Sequence, residues 1–297
     1  MLSTRQLRYF EALSRHRHFG RAAEECAVTQ PALSMQIREM EALLGVRLLE
    51  RGRGGVRLTP VGEEAATRAR GVLAALADME RTLRDHGSLL EGRLRLGVIP
   101  SIAPYLLPRL LPEMGRRHPG LEIALRESQT AQLVSELAHG ELDLVVLSLP
   151  VEHPDIEVMA LFEDPFVLAV PETSPEVAAT ASPEAIRAED LLLLEDGHCF
   201  RDQALSVCRT VDGNRLRRFG ASSLSTLVQL VANGQGVTLL PQMYVAQEGG
   251  RIPRVRLLAF PDPVPARTVG LAFRRTLPRR DDVEAVAAMV RACRPGA

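Results

Sequence analysis

The chain has 297 residues, 46% hydrophobic and 25% charged, the balance of a soluble globular protein with room for two or three domains. Four cysteines, Cys26, Cys199, Cys208 and Cys293, are too few for a disulfide scaffold at this length. Net charge is −1 and all 36 basic residues are arginine, so total charge neither supports nor excludes nucleic-acid binding. Arg5, Arg8 and Glu11 break any apolar leader, and the longest uncharged stretch, Phe219 to Gln247, carries Gly, Asn, Gln, Ser and Pro241. That stretch is not a membrane span, and a cytoplasmic location is expected, where thiols stay reduced.

Residues 1–62 read as a winged helix-turn-helix. Leu7, Phe10, Ala12 and Leu13 form a helical stripe over Thr4 to His16, and a second short helix fits Gly20 to Cys26. After the turn Ala27-Val28-Thr29, Thr29 can cap a third helix and Pro31 suits its first turn. This helix is expected to bury Leu33, Ile37, Met40 and Leu44 and to offer Gln30, Pro31, Ser34, Gln36 and Arg38 to a DNA groove. Arg47, Arg51, Arg53 and Arg57, interleaved with Gly52, Gly54 and Gly55, read as a two-stranded wing whose arginines, Arg51 and Arg53 among them, can reach DNA phosphates or a minor groove. The competing reading is a small helical domain with solvated arginines.

Residues 63–91 predict a linker helix. Ala65, Ala69, Val72, Leu76, Met79 and Leu83 alternate at spacings of four and three, a heptad seam. A helix packed on its own domain is the alternative, but a narrow stripe between two domains points to pairing with a second subunit.

From Arg93 strands and helices alternate: Leu94 to Ile99, Leu121 to Glu127 and Leu142 to Leu147 as strands, Tyr105 to Arg117 and Thr130 to His139 as helices. This predicts an α/β regulatory domain over 92–297 built on a parallel sheet. A second α/β region spans Phe166 to Phe260. The strand Thr268 to Phe273 and the helix Asp281 to Cys293 then return to the first. The expected division is subdomain I at about 92–164 and 267–297 and subdomain II at about 165–266, a periplasmic-binding-protein-like fold. Ligands in such folds lie at the carboxyl ends of strands. Ser101 and Thr130 fall there, with ordinary helix capping as the simpler reading.

Cys199 and Cys208 lie in the run Leu191 to Cys208, with His198 before the first thiol and Arg201 two residues after it. Cations near a thiol favour its thiolate, and a sulfenic acid formed on one thiol can be closed to a disulfide by another. The plainer reading is a pair of small buried hydrophobes. His198, Cys199 and Cys208 lack an evident fourth ligand, so no metal is expected, and no cofactor either. Phe200 to Cys208 is rich in helix formers. As a helix it would rise about 13 Å along its axis, whereas a disulfide needs Cα atoms within about 7 Å. A bond between the two thiols would therefore require the segment to refold.

The run Glu195-Asp-Gly-His-Cys199, continued to Cys208, resembles the sensing segment of peroxide-responsive LysR-type transcriptional regulators. The similarity covers nearly the whole chain, including the helix-turn-helix, Thr59-Pro-Val-Gly62, Ile99-Pro-Ser-Ile-Ala-Pro-Tyr-Leu-Leu-Pro108 and Gln129-Thr-Ala-Gln-Leu133. The resemblance implies a regulator of promoter DNA that responds to hydrogen peroxide. Its subunits pair through the linker helix, hold two readers about 34 Å apart or a multiple of it, and assemble further into tetramers that engage RNA polymerase. It implies Cys199 as the peroxidatic and Cys208 as the resolving thiol, with Ser101, Thr130, His198, Arg201 and Asp202 around the peroxide. Ser101 stands where the family usually has threonine, and Leu49 where many members have an aromatic residue. Two rivals stay open: a regulator binding a small metabolite in the same cleft, and a thiol peroxidase. The latter is disfavoured because a catalyst has no need of a helix-turn-helix and seam, so no enzyme is expected.

Overall fold

The computed structural model describes residues 1–52, 55–84, 90–174, 181, 186, 190–207, 220–251 and 253–296. Arg53 and Cys208 lie outside these residues, and the side chains of Arg51 and Leu83 are likewise not described. Two compact units separate, Met1–His86 with Ala138–Glu141, and Gly87–Leu137 with Leu142–Ala297. Among the described residues no helix is long and apolar enough to cross a membrane.

The first unit opens with α1 (Thr4–His16), α2 (Phe19–Glu25) and α3 (Gln30–Leu44). A capping box starts α1: Gln6 N donates to Ser3 Oγ at 3.2 Å and Ser3 N to Gln6 Oε1 at 3.0 Å. Thr29 Oγ1 accepts from Ala32 N at the start of α3, and Gly45 ends it at φ +69°. Phe10, Leu13, Leu33, Ile37 and Met40 form a closed core, each worth roughly 1.5–3 kcal/mol of burial. Leu44 does not join it and is 41% exposed, because α3 ends there and its last turn runs past the helices that cover Met40. The wing is an antiparallel pair, β1 (Leu49–Gly52) and β2 (Gly55–Leu58), and Leu49 is buried as a packing residue. Next comes α4 (Pro60–Arg84). A Cβ on Gly62 would meet the Leu48 carbonyl oxygen at 2.1 Å, so only glycine lets α4 begin against the wing.

The heptad reading of α4 needs correction in its first half. Ala69 is buried in the reader's own core and Ala65 packs against it, because methyl side chains let α4 lie close on α1. Further along α4, Val72 is 54% exposed and Met79 52% exposed, with Leu76 half-buried between them.

In the second unit, β3 (Gly92–Val98) runs parallel to both β4 (Leu121–Glu127) and β5 (Leu144–Leu149), linked by α5 (Ala103–Arg117) and α6 (Thr130–Ala138). The parallel pairing expected of these three strands is present, and the strands that follow make the sheet mixed. A 16-residue strand, β6 (Ile156–Pro171), follows. Its first part pairs antiparallel with β11 (Ala266–Arg274), which also pairs antiparallel with β5. From Phe166 its partners change to β9 (Thr238–Pro241) and β10 (Val255–Ala259). The sheet is mixed because β11 returns antiparallel between β5 and β6, and β9 and β10 run antiparallel to β6. The second region also holds the parallel pair β7 (Leu193–Leu194) and β8 (Gly220–Ala221), with α7 (Cys199–Val207), α8 (Leu224–Ala232) and α9 (Gln242–Glu248). The closing helix α10 (Arg280–Ala292) buries Val283, Val286 and Val290, and Leu106, Leu110 and Met114 do the same on α5. The result is an α/β, periplasmic-binding-protein-like domain.

Candidate functional site

Three successive parallel strands end in a hydroxyl. Ser101 follows β3, Thr130 follows β4, and Ser148 sits at the end of β5. Neither Ser101 nor Thr130 is spent on capping. The first residue before α5 is Ile102, and it makes no side-chain cap. Thr130 Oγ1 is buried without a hydrogen-bond partner. Such an orphaned hydroxyl costs on the order of 1–3 kcal/mol unless something else satisfies it.

Ser101 is held by a residue that sequence pattern did not single out. Arg267, fully buried on β11, donates from Nη1 to Ser101 Oγ at 2.8 Å and from Nη2 to the Ser101 carbonyl at 3.0 Å. Its Nε donates to Asp164 Oδ2 at 2.9 Å, and Asp164 Oδ1 accepts from Met243 N at the start of α9. Because Ser101 Oγ accepts from the guanidinium, its own proton is left to donate elsewhere. The signal for Arg267 and Asp164 was weak: each is a charge in a strand, but Glu163 and Glu157 share β6 with Asp164, and Arg274 shares β11 with Arg267.

The cysteine segment arrives from β7 through a tight turn. Gly197 has φ +94°, and a Cβ there would come within 2.5 Å of the Gln129 side-chain oxygen, so this glycine both turns the chain and admits Gln129. Gln129 immediately precedes Thr130, which brings the β4–α6 junction to the His198–Cys199 turn. His198 is buried, and desolvation pushes its imidazole below the ordinary 6.5, with Glu195 pulling the other way. Cys199 is partly exposed, its thiol free, at the first position of α7. Helix amino termini present unpaired N–H groups and the positive end of the backbone dipole, a setting that favours anions.

Phe200 is buried beside the arginine. Its ring makes an edge-to-face contact with Phe166 at 5.7 Å, and Arg267 Cζ lies 5.6 Å from its centroid. Gln203, one turn on, was also missed; it donates from Nε2 to Ser148 Oγ at 2.7 Å, while its Oε1 is buried without a partner. Arg201 turns back on the loop, donating to the Leu194 carbonyl at 3.3 Å and pairing with the exposed Asp196 at 2.9 Å. Asp202 is exposed.

Within the reader, Gln30, Pro31 and Arg38 are exposed on α3, while Ser34 and Gln36 are half-exposed. Arg38 Nε donates to the Ser34 carbonyl and Gln36 Nε2 to Glu39.

A family model described as "LysR substrate binding domain" matches residues 87–294, and one described as "Bacterial regulatory helix-turn-helix protein, lysR family" matches residues 4–63. The chain is 41% identical over 292 residues to the DNA-binding transcriptional dual regulator OxyR of Escherichia coli (strain K12), covering 98% of this chain and 95% of that one. A full-length Pseudomonas aeruginosa OxyR structure with a cysteine-to-aspartate substitution is similar at a TM-score of 0.75 and 36% identity, covering 99% of each chain. An H2O2-bound cysteine-to-serine mutant of Corynebacterium glutamicum OxyR is similar at 0.68 and 32% identity, covering 98% of this chain and 92% of that one.

Proposed function

Since the chain belongs to the lysR family of bacterial regulatory helix-turn-helix proteins, we propose that it is a hydrogen-peroxide-responsive transcriptional regulator acting on promoter DNA in the cytoplasm. The observations that carry the sensing half are the free Cys199 thiol at the head of α7, the buried Arg267 guanidinium beside the next residue, Phe200, and two unsatisfied buried polar atoms, Thr130 Oγ1 and Gln203 Oε1. A small molecule that both donates and accepts hydrogen bonds suits such groups, and hydrogen peroxide does both. Similarity to an H2O2-bound relative supports the same choice.

The chemistry assigns each group a task. The Cys199 thiolate attacks one peroxide oxygen and is oxidised to the sulfenic acid. The O–O bond breaks, and the departing oxygen takes a proton to leave as water. Ser101 donates to the peroxide with the proton that Arg267 leaves free, Thr130 supplies a second hydroxyl, and His198, Arg201 and Asp202 flank the thiol in sequence. Cys208 then attacks the Cys199 sulfur, expelling the hydroxyl as water and forming the disulfide. A helix continued from Cys199 through Cys208 would hold the two thiols too far apart for that bond, so oxidation selects a second local fold, which alters the geometry of the dimer or tetramer on DNA and its engagement of RNA polymerase.

Intact mass and peptide mapping of the reduced full-length chain, before and after mild peroxide, test the reading alongside a promoter-DNA mobility assay. A loss of two mass units mapped to Cys199–Cys208, accompanied by altered DNA binding, is expected. DNA binding that responds to peroxide after both thiols have been alkylated would exclude the thiol mechanism.

A further inference from the structure

We propose that Phe200 is the positioning residue that latches α7 in its reduced form, and so sets how long the Cys199 sulfenic acid waits for Cys208. The inference rests on the redox reading above and adds the element that times its second step.

α7 is attached to the domain by a narrow stripe. Phe200 and Ala204, four residues apart, are buried, while Asp202 and Ser206 on the other side are exposed. Ala204 contributes one methyl. Phe200 is therefore the large apolar anchor, and its ring reaches a place where the chain passes between sheet regions. Phe166 is the residue at which β6 exchanges β11 for β9 and β10, and Arg267 lies at the beginning of β11. The ring has Phe166 edge-to-face and the buried guanidinium over it, and both contacts are lost if the first turn of α7 unwinds. Gln203 adds a polar strap to Ser148 Oγ and the Leu149 carbonyl.

The second step needs no outside electrons: the Cys208 thiolate attacks the Cys199 sulfur, the S–O bond breaks, and hydroxide leaves to be protonated. What it needs is a refolded segment. The first step needs the Cys199 thiol and the hydroxyls that hold the peroxide, and does not require α7 to unwind. A latch at Phe200 thus slows disulfide closure without slowing peroxide attack.

Two measurements on the full-length chain with Phe200→Leu and Phe200→Ala test this. In the reduced proteins, hydrogen exchange over Cys199–Val207 should accelerate at least about tenfold in Phe200→Ala and less in Phe200→Leu, which keeps an apolar filler. After one equivalent of peroxide, timed dimedone trapping should show first-step rates within about twofold of the parent and a sulfenic acid lifetime about tenfold shorter in Phe200→Ala. A merely structural role would lower the global unfolding midpoint and leave the ratio of the two rates alone. Equal exchange and equal lifetimes in a parent that forms the disulfide overturn the latch. A parent that never forms it overturns the redox reading and this inference with it.

Discussion

Arg267 and Asp164 stand directly opposite each other in the β6–β11 ladder, and the arginine Nε donates to the carboxylate at 2.9 Å with both side chains almost wholly buried. A buried pair of this kind is costly to break from one side, because the remaining charge is stranded. Asp164→Asn should therefore destabilise the reduced chain by about 3–5 kcal/mol, with Arg267→Met plus Asp164→Leu recovering part of the loss. Urea unfolding of the three proteins decides it; a single variant as stable as the parent would show that the pair carries no uncompensated charge.

Cys199→Ser should abolish the peroxide-dependent change in DNA binding. Cys208→Ser should still be oxidised at Cys199 but hold the sulfenic acid, or pass on to the sulfinic form, while keeping the reduced DNA footprint. Footprinting of both variants with and without peroxide is the check. An oxidised footprint in Cys208→Ser would mean that the sulfenic acid alone throws the switch.

The exposed stripe on α4 makes a prediction that distinguishes its two halves. Met79→Glu should weaken self-association and leave the reader folded, because Met79 is 52% exposed and outside the reader's core. Ala69→Glu should instead unfold the reader, where that side chain is part of the core. Sedimentation equilibrium and thermal melts separate the two effects, and an unchanged association constant for Met79→Glu would exclude this face from the dimer.

Gln30→Ala and Ser34→Ala should lower discrimination between promoter and random DNA. Arg53→Ala should weaken binding to both and flatten the salt slope by about one. A salt slope identical to the parent's would remove Arg53 from the phosphate contacts.

His198 supplies a pH dependence of definite sign. Its imidazole titrates below the ordinary 6.5 because burial penalises the charged ring. The unfolded chain therefore takes up the proton first as pH falls. Stability that is fully present above about pH 6.5 is lost on the way down through the lower, folded value. His198→Asn should show a smaller loss of urea midpoint between pH 7.5 and 5.5 than the parent; parallel slopes would refute the assignment.

The sequence alone determined whatever depends on near neighbours. Caps, turns and helix periods act over a few residues, so Thr29, Pro31 and the stripe Leu33, Ile37, Met40 announce the reader before any packing is known. The Glu195–Cys199 run was legible for the same reason, since the thiol, its histidine and its glycine turn are contiguous. Tertiary structure decided the rest. Ser101 and Arg267 are 166 positions apart, and whether an arginine in an apolar strand faces solvent or a carboxylate depends on strand register, which no local pattern encodes. Heptad spacing on α4 could not tell a subunit seam from a home interface, because alanine packs equally well on either. The mixed sheet followed from β11 returning antiparallel between β5 and β6. Strand direction is set by how the chain returns, and that is a property of the whole fold rather than of any segment in it.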